Sequence, residues 1–486
     1  MFNLKSIWSL DSHFSSFNSL NKDIKTKVCV IGGGLCGLLT TYLLTKQGVD
    51  CVLIEANTIA SGVTPNTSAK ITCQHGLIYD QIITKFNVEK AQQYAKANLD
   101  ALNMYHHIIK DEKIDCNFET IPTYLYTTKD SNLLEKELAA MELAGLKGSL
   151  TTKTTLPFMV KSALKLESQA QFNPLAFLSS IAPTLPIYEQ TKALTIEGNT
   201  ITTPHGKVTA DHIIMTTHFP FINAPGYYFM RMHQERSYVT ALKGESTLDG
   251  AYLGIDDISY SFRTYKDMII LGGCAHRTGQ NEQGGNYTKL KNKAIEFYPQ
   301  HEHVCSWATQ DCMTHDGVPY IGKYSAEIDN LYVATGFNKW GMTSSMSAAM
   351  ILCDQVLGKE NPCQEVFSPQ RSNLMASAKK LAIDGIEAVS GLIKQNLYIP
   401  SANLREVDLG HGGIIEYKGE KVGVYKKSDH EVYLVSTKCP HLGCQLAWNP
   451  DDLSWDCPCH GSRFDYKGDI LNNPTQKGLD YEQSKS

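Results

Sequence analysis

Residues 27–56 read KVCVIGGGLCGLLTTYLLTKQGVDCVLIEA, and this stretch decides the fold of the first domain. KVCVI is a β-branched apolar run that ends in glycines. Leu35, Leu38, Leu39, Leu43 and Leu44 then recur at helical spacing until Gly48 stops the helix. DCVLIEA is a second buried strand, so the segment predicts a β-α-β unit. Gly32, Gly34 and Gly37 form G-x-G-x-x-G between the first strand and the helix. The first glycine permits the tight turn and the second lets the backbone approach a pyrophosphate. The third lets the helix pack closely on the strand, with its N-terminal amides facing the phosphates. Glu55 closes the second strand eighteen residues after Gly37, where a carboxylate can bond ribose hydroxyls. Together these features predict a dinucleotide site, but they do not separate FAD from NAD.

Downstream, helical patterns cover roughly 87–110 and 131–145, and TADHIIMTTH (209–218) and DMIILGGCAH (267–276) read as strands. LYVATGF (331–337) is a late strand running into a glycine turn, followed by the helical NKWGMTSSMSAAMILCDQVLG. A strand that returns to the dinucleotide fold so far from its start predicts a second domain inserted between the two parts. From Asn373 to Leu397 apolar residues recur every three to five positions, which predicts an amphipathic linker helix between Pro369 and Pro400. Beyond Pro400 the texture changes to short strands and turns.

That last part contains CPHLGC (439–444) and CPCHGS (457–462). Cys439, His441, Cys457 and His460 give C-x-H and C-x-x-H separated by residues 442–456. Two thiolates on one iron and two imidazoles on the other make a Rieske [2Fe–2S] centre, and the imidazoles raise its potential above that of an all-cysteine cluster. Zinc also accepts Cys₂His₂, yet a zinc finger has no use for Leu-Gly-Cys after one histidine and Gly-Ser after the other.

With 486 residues, the chain is too long for one core. A net charge of −5 without a long basic run argues against nucleic acid as partner. No apolar stretch reaches the ~18–20 residues of a membrane span, and the first thirty residues lack a secretory h-region. Ten of the fourteen cysteines are scattered singly between Cys29 and Cys363, as reduced thiols would be. A cytoplasmic protein is expected.

SIWSL, VCVIGGGLCGLLTTYLL, SGVTPNTSAKITCQHG, ILGGCAHRTG, DGVPYIG and LYVATGFNKWGM, spread over about residues 5–370, resemble the FAD-dependent oxidoreductases of the D-amino acid oxidase and glycine oxidase superfamily. No later strand–GxGxxG–helix unit is present for a separate nicotinamide nucleotide. The resemblance implies an α/β FAD-binding domain (Rossmann-like, glutathione-reductase-type) with an inserted α+β substrate domain, then a small all-β Rieske domain. The expected divisions are an N-terminal extension (1–25), the oxidoreductase (26–370), a helical linker (371–397) and the Rieske domain (398–486). It further implies that the segment from Ser61 to Thr67 passes the flavin ring and that Ala193 contacts adenine. Gly336, Phe337 and Gly341 would close over the pyrophosphate and pyrimidine side. Some relatives tether the flavin covalently through a His or Cys, and Cys73 and His75 lie close in sequence to that region.

Amino-acid-oxidising relatives carry an arginine before the Asp-Gly-x-Pro segment, to pair with the substrate carboxylate. Here WATQDCMTHDGVPYIG places Asp311 at about that position, which favours a cation such as an amine. His315 is a candidate proton acceptor, Trp340 the third candidate catalytic residue, and Arg263 reads as a structural cation. The cluster boxes resemble respiratory-type Rieske proteins. That resemblance implies a Cys444–Cys459 disulfide, a Ser462 hydroxyl directed at a cluster sulfur, and a proline loop at Asn473–Pro474. Phe464 stands where those proteins have a tyrosine. With one donor missing, the potential is expected below the top of the Rieske range of about −150 to +300 mV.

Two cofactors on one chain suggest a dehydrogenase in which an amine-type substrate reduces FAD and the cluster drains it singly. A redox protein or a quinone-like molecule would be the acceptor. The alternative is an electron relay or redox sensor without a small substrate of its own. A Rieske oxygenase would need a mononuclear iron held by two histidines and a carboxylate, and the remaining histidines form no persuasive cluster.

Overall fold

The computed structural model describes residues 4–10, 14–371 and 404–484. The expected linker helix, Asn373 to Leu397, lies outside the described residues. The opening strand, Ile24–Ile31, and the strand Cys51–Ile54 pair in parallel, with the helix Leu35–Lys46 between them. That helix buries nine of its twelve residues, because it lies between the sheet and the helix Gly341–Val356. A helix apolar all round is a core helix, and cutting Leu39 to alanine costs about 2–5 kcal/mol. A Cβ on Gly37 would fall inside the shell of the Gly32 carbonyl oxygen, so only glycine lets helix and strand approach this closely.

The eight-stranded first sheet has the path Tyr320–Ser325, Ile328–Thr335, Gly206–Met215, Ile24–Ile31, Cys51–Ile54, Ile187–Tyr188. Its central members are parallel, and Ile213 to Met215 pair with Leu331 to Val333. The late strand thus returns to the dinucleotide fold, as its pattern predicts. Between these parts the chain forms a nine-stranded sheet. It begins with Glu302–Thr314, Met232–Lys243 and Met268–Arg277, and the helix Asn132–Leu143 packs on its strands Gly148–Thr151 and Ser162–Gln171. This is the inserted α+β substrate domain. The segment before the first strand packs into the same body. Trp8 is fully buried, and its Nε1–H donates to the Thr67 carbonyl at 2.7 Å.

Residues 404–484 form two four-stranded sheets and no α-helix among the described residues. Trp448, Trp455 and Phe464 make their shared core. This all-β domain is fastened to the substrate sheet through buried charge. Arg236 Nη2 meets Asp452 Oδ2 at 2.6 Å, and Arg463 Nη2 meets the same oxygen at 2.8 Å. Tyr287 adds a hydroxyl to Asp452 Oδ1 at 2.9 Å. Burial alone would raise the Asp452 carboxyl, but Arg236 and Arg463 hold it below its ordinary range. No helix among the described residues is long and apolar enough to cross a membrane.

Candidate functional site

One cavity of about 990 Å³ opens at the junction of the two sheets. Gly32, Gly34, Glu55, Ser61, Thr67, Ala193, Asp311, Phe337, Trp340 and Gly341 all line it. Gly37 acts from behind, through helix packing. Gly336 ends the late strand with φ +69° and lies outside the lining, as does His315. Glu55 reaches back to the glycine loop, where Oε2 accepts from the Gly33 amide at 2.7 Å and Oε1 from the Asn57 amide at 2.8 Å. Open space bounded by glycines, helix-terminal amides and a fixed carboxylate fits a dinucleotide.

On the substrate side, Asp311 stands in the strand Glu302–Thr314, directly opposite Glu235. No hydrogen bond or ion pair to its carboxylate is found among the described residues. Burial pushes it up to about 7, against the pull of Lys339 and with Glu235 adding to the rise. By surface area Asp311 is half-buried. Its open side is the cavity, so the protein surrounding it decides the shift. Lys339 is paired with Glu235 at 2.9 Å. Trp340 stacks on His75 with ring centroids 4.7 Å apart, and His75 Nδ1 meets Tyr94 Oη at 2.6 Å. Neither Cys73 nor His75 lines the cavity. Arg263 donates to the carbonyls of Ser68 and Ala69 at 2.8 and 2.6 Å, so it braces the segment past the flavin site.

Sequence reasoning passed over Lys70, which lines the cavity with no hydrogen bond or ion pair among the described residues. Burial, helped by Arg263, brings it down to about 7. A lone cation between Ala69 and Ile71 in a polar stretch was its only signal.

The cluster boxes form two facing loops. Cys439 and Cys457 are buried free thiols, and His441 and His460 face each other with centroids 5.0 Å apart. The Nδ1 atoms of both histidines are buried and have no hydrogen-bond partner. His441 Nε2 meets Asn223 Oδ1 at 2.8 Å. With Nε2–H as the donor, the Nδ1 lone pair is left for a metal. Burial lowers His441 to about 4, and burial with help from His441 and Arg277 lowers His460 to about 3, so both rings are neutral. The hydrogen bond from Cys457 brings Cys439 down to about 7, with Ser462 also contributing. This donor set fits a Rieske cluster. Cys444 and Cys459 are joined as a disulfide. Their sulfurs lie within 4.8 Å of Cys457 but are bonded to each other, so they are not available as ligands.

The two sites share a wall. Along Glu302–Thr314, Thr309, Asp311, Cys312 and Met313 line the cavity. Gln310, between them, points the other way and donates to the Gly461 carbonyl at 2.8 Å. Gln234 of the neighbouring strand donates to the His460 carbonyl at 2.8 Å and accepts from Gln310 at 2.6 Å. The side chain of Gln234 lies so close to Gly461 that a Cβ there would collide with it. One layer of sheet therefore separates the flavin cavity from a cluster loop.

Fold and sites define a flavin oxidoreductase with an attached iron–sulfur domain. The chain belongs to the FAD dependent oxidoreductase (DAO) family, whose pattern matches residues 27–355, and it carries a Rieske [2Fe-2S] domain over residues 398–481. It binds FAD and a [2Fe–2S] cluster. The Bacillus subtilis (strain 168) protein YhfW, named as a Rieske 2Fe-2S iron-sulfur protein, is 36% identical over 97% of this chain and 96% of its own. The γ-glutamylputrescine oxidoreductase of Escherichia coli (strain K12) is 21% identical over 71% of this chain and 87% of its own. The crystal structure of glycine oxidase from Geobacillus kaustophilus superposes with a TM-score of 0.60 at 17% identity, over 72% of this chain and 99% of that one.

Proposed function

We propose that the protein is a dehydrogenase that oxidises a C–N bond of an amine-type substrate and passes electrons singly through its cluster to an external acceptor. The acceptor is a redox protein or a quinone-like molecule. The observation that carries this reading is the shared wall, with Asp311 on its cavity face and Gln310 and Gln234 on its cluster face. When bound, the flavin supplies two-electron hydride chemistry and the cluster one-electron chemistry.

Gly32, Gly34 and Gly37 form the pyrophosphate cradle, Glu55 meets the ribose and Ala193 the adenine. Ser61 and Thr67 border the flavin ring, with Phe337 and Gly341 on its pyrimidine side and Gly336 turning the chain into place. Cys439, His441, Cys457 and His460 are the cluster ligands. Asp311 is the group that holds a protonated amine. Its carboxylate oxygen accepts the nitrogen's proton, because an ammonium nitrogen has no lone pair to drive loss of hydride from carbon. Per turnover the protonated amine becomes a protonated imine, releasing two electrons and two protons. One two-electron acceptor or two one-electron acceptors take up the electrons. Trp340, stacked on His75, gives the cavity a rigid wall. Relatives named for γ-glutamylputrescine and for glycine support a C–N compound as substrate.

The test is an anaerobic absorption titration of the purified protein against amines, N-methyl amines and amino acids. Flavin bleaching followed by cluster reduction with one compound class is expected. Bleaching by none of them, with rapid reduction by a partner protein instead, would replace this reading with the electron relay.

A further inference from the structure

The cavity that takes the dinucleotide is not closed by the oxidoreductase domain alone. The hairpin Arg463–Asp465 and Ile470–Asn472 of the Rieske domain, with the loop that follows it to Gln476, stands over it. Ile470, Leu471, Asn473 and Gln476 belong to the same lining as Gly32, Gly34 and Ala193. Two side chains hold the segment in place. Asn473 Nδ2 donates to the carbonyls of Thr217 at 2.6 Å and Phe219 at 2.7 Å, just beyond the strand Gly206–Met215. Lys192, next to Ala193 in the chain, donates its Nζ to the Gln476 carbonyl at 2.9 Å.

The hairpin also breaks the strand rule. Successive residues of a strand face opposite ways, so an edge strand on a core buries every other side chain. Yet Ile470 is 36% exposed and Leu471 48% exposed. Two consecutive branched apolar residues stand open at the rim of a cavity that holds a cofactor with two planar ring systems.

We propose that residues 470–476 of the Rieske domain are part of the FAD site. The hairpin covers the bound dinucleotide, so the cofactor is gripped by both domains. FAD is then retained only while the Rieske domain is docked. Conversely, bound FAD fixes the Rieske domain against the wall formed by Gln234 and Gln310. The proposal does not depend on the substrate or on the direction of electron flow.

The test uses the full-length protein carrying both cofactors. Leu471→Asp places a charge where the hairpin meets the cofactor. FAD release on dilution is followed by the rise in free-flavin fluorescence, and the cluster by its electron paramagnetic resonance and visible circular dichroism. Release at least about tenfold faster than wild type is expected from losing the burial of one such side chain, with an unchanged cluster signal. An unchanged release rate with the cluster intact overturns the proposal. If the aspartate disturbs the cluster, the double variant Ile470→Ala/Leu471→Ala decides by the same two readouts, since it only trims exposed side chains. Wild-type retention of FAD in that variant also overturns the proposal.

Discussion

The candidate cluster ligands come from two short loops tied together by one disulfide, whereas the flavin cavity collects its lining from segments as far apart as Ile31 and Gln476. At the cluster, four donors in two loops have neutral rings with orphaned Nδ1 atoms and thiols hydrogen-bonded to each other. No other described residue is needed to complete the set. In the cavity the lining is gathered from many segments, and two of its titratable groups, Asp311 and Lys70, are both shifted to about 7 by burial. A site made locally fails outright when one donor goes. A site made from many segments fails by degrees.

The sharpest break follows from that contrast. Cys457→Ser should abolish the cluster's absorption and its electron paramagnetic resonance while the flavin absorption stays. Serine keeps the size of the side chain but not the thiolate, and no nearby free thiol can substitute. Retention of a full Rieske signal would remove Cys457 from the ligand set.

Next in size is Asp311→Asn, which keeps the shape and removes the proton acceptor. A positioned acid or base contributes about 10²–10⁴-fold, and kcat/KM for an amine substrate should fall by that range. The pH dependence has a definite sign. A carboxyl raised to about 7 is neutral below that pH and ionised above it, so kcat/KM should climb as pH rises through about 7. The climb should be absent from the asparagine variant. A variant with the wild-type profile would show that the titrating group lies elsewhere.

Arg236→Met tests the fastening between the two sites. Breaking a buried ion pair by removing one partner costs about 3–5 kcal/mol. The cost here should fall at the lower end, because Asp452 keeps Arg463 at 2.8 Å. Denaturant unfolding, with hydrogen exchange over residues 404–484, measures it. Loss confined to that domain would locate the cost at the interface.

The contrast also explains what could be read in the sequence. The opening β-α-β unit and the cluster boxes are local, so spacing alone identified them, and Glu55 came with the first. The return of the late strand to the first sheet was legible from its apolar run. The shared wall was not. Gln234 and Gln310 are unremarkable strand glutamines, and nothing near them in sequence says that their partners are the carbonyls of His460 and Gly461. Arg236 and Asp452 meet across more than two hundred residues for the same reason. His315 shows the converse error of proximity. It is four residues from Asp311, a spacing that within one strand would share a face. But the strand ends at Thr314, and the turn carries His315 out of the cavity lining.

The smallest effect is expected at Phe464, and it separates the cluster's immediate surroundings from the rest of the chain. Hydrogen bonds to the cluster and its thiolates set much of the potential of an iron–sulfur centre, since they stabilise the reduced, more negative form. Ser462 is placed to supply one such bond to Cys439, but Phe464 is fully buried beside Trp455 and has no hydroxyl to give. Phe464→Tyr adds one oxygen in a packed core, so a modest loss of stability accompanies it. The potential should nevertheless rise, and Ser462→Ala should lower it, both within the range of about −150 to +300 mV. Redox titration of the three proteins by electron paramagnetic resonance orders them. If the tyrosine leaves the potential unchanged while the alanine lowers it, position 464 is too far from the sulfurs to matter. A potential below the top of the Rieske range would then have to come from the flavin-domain side, where Asn223 meets His441.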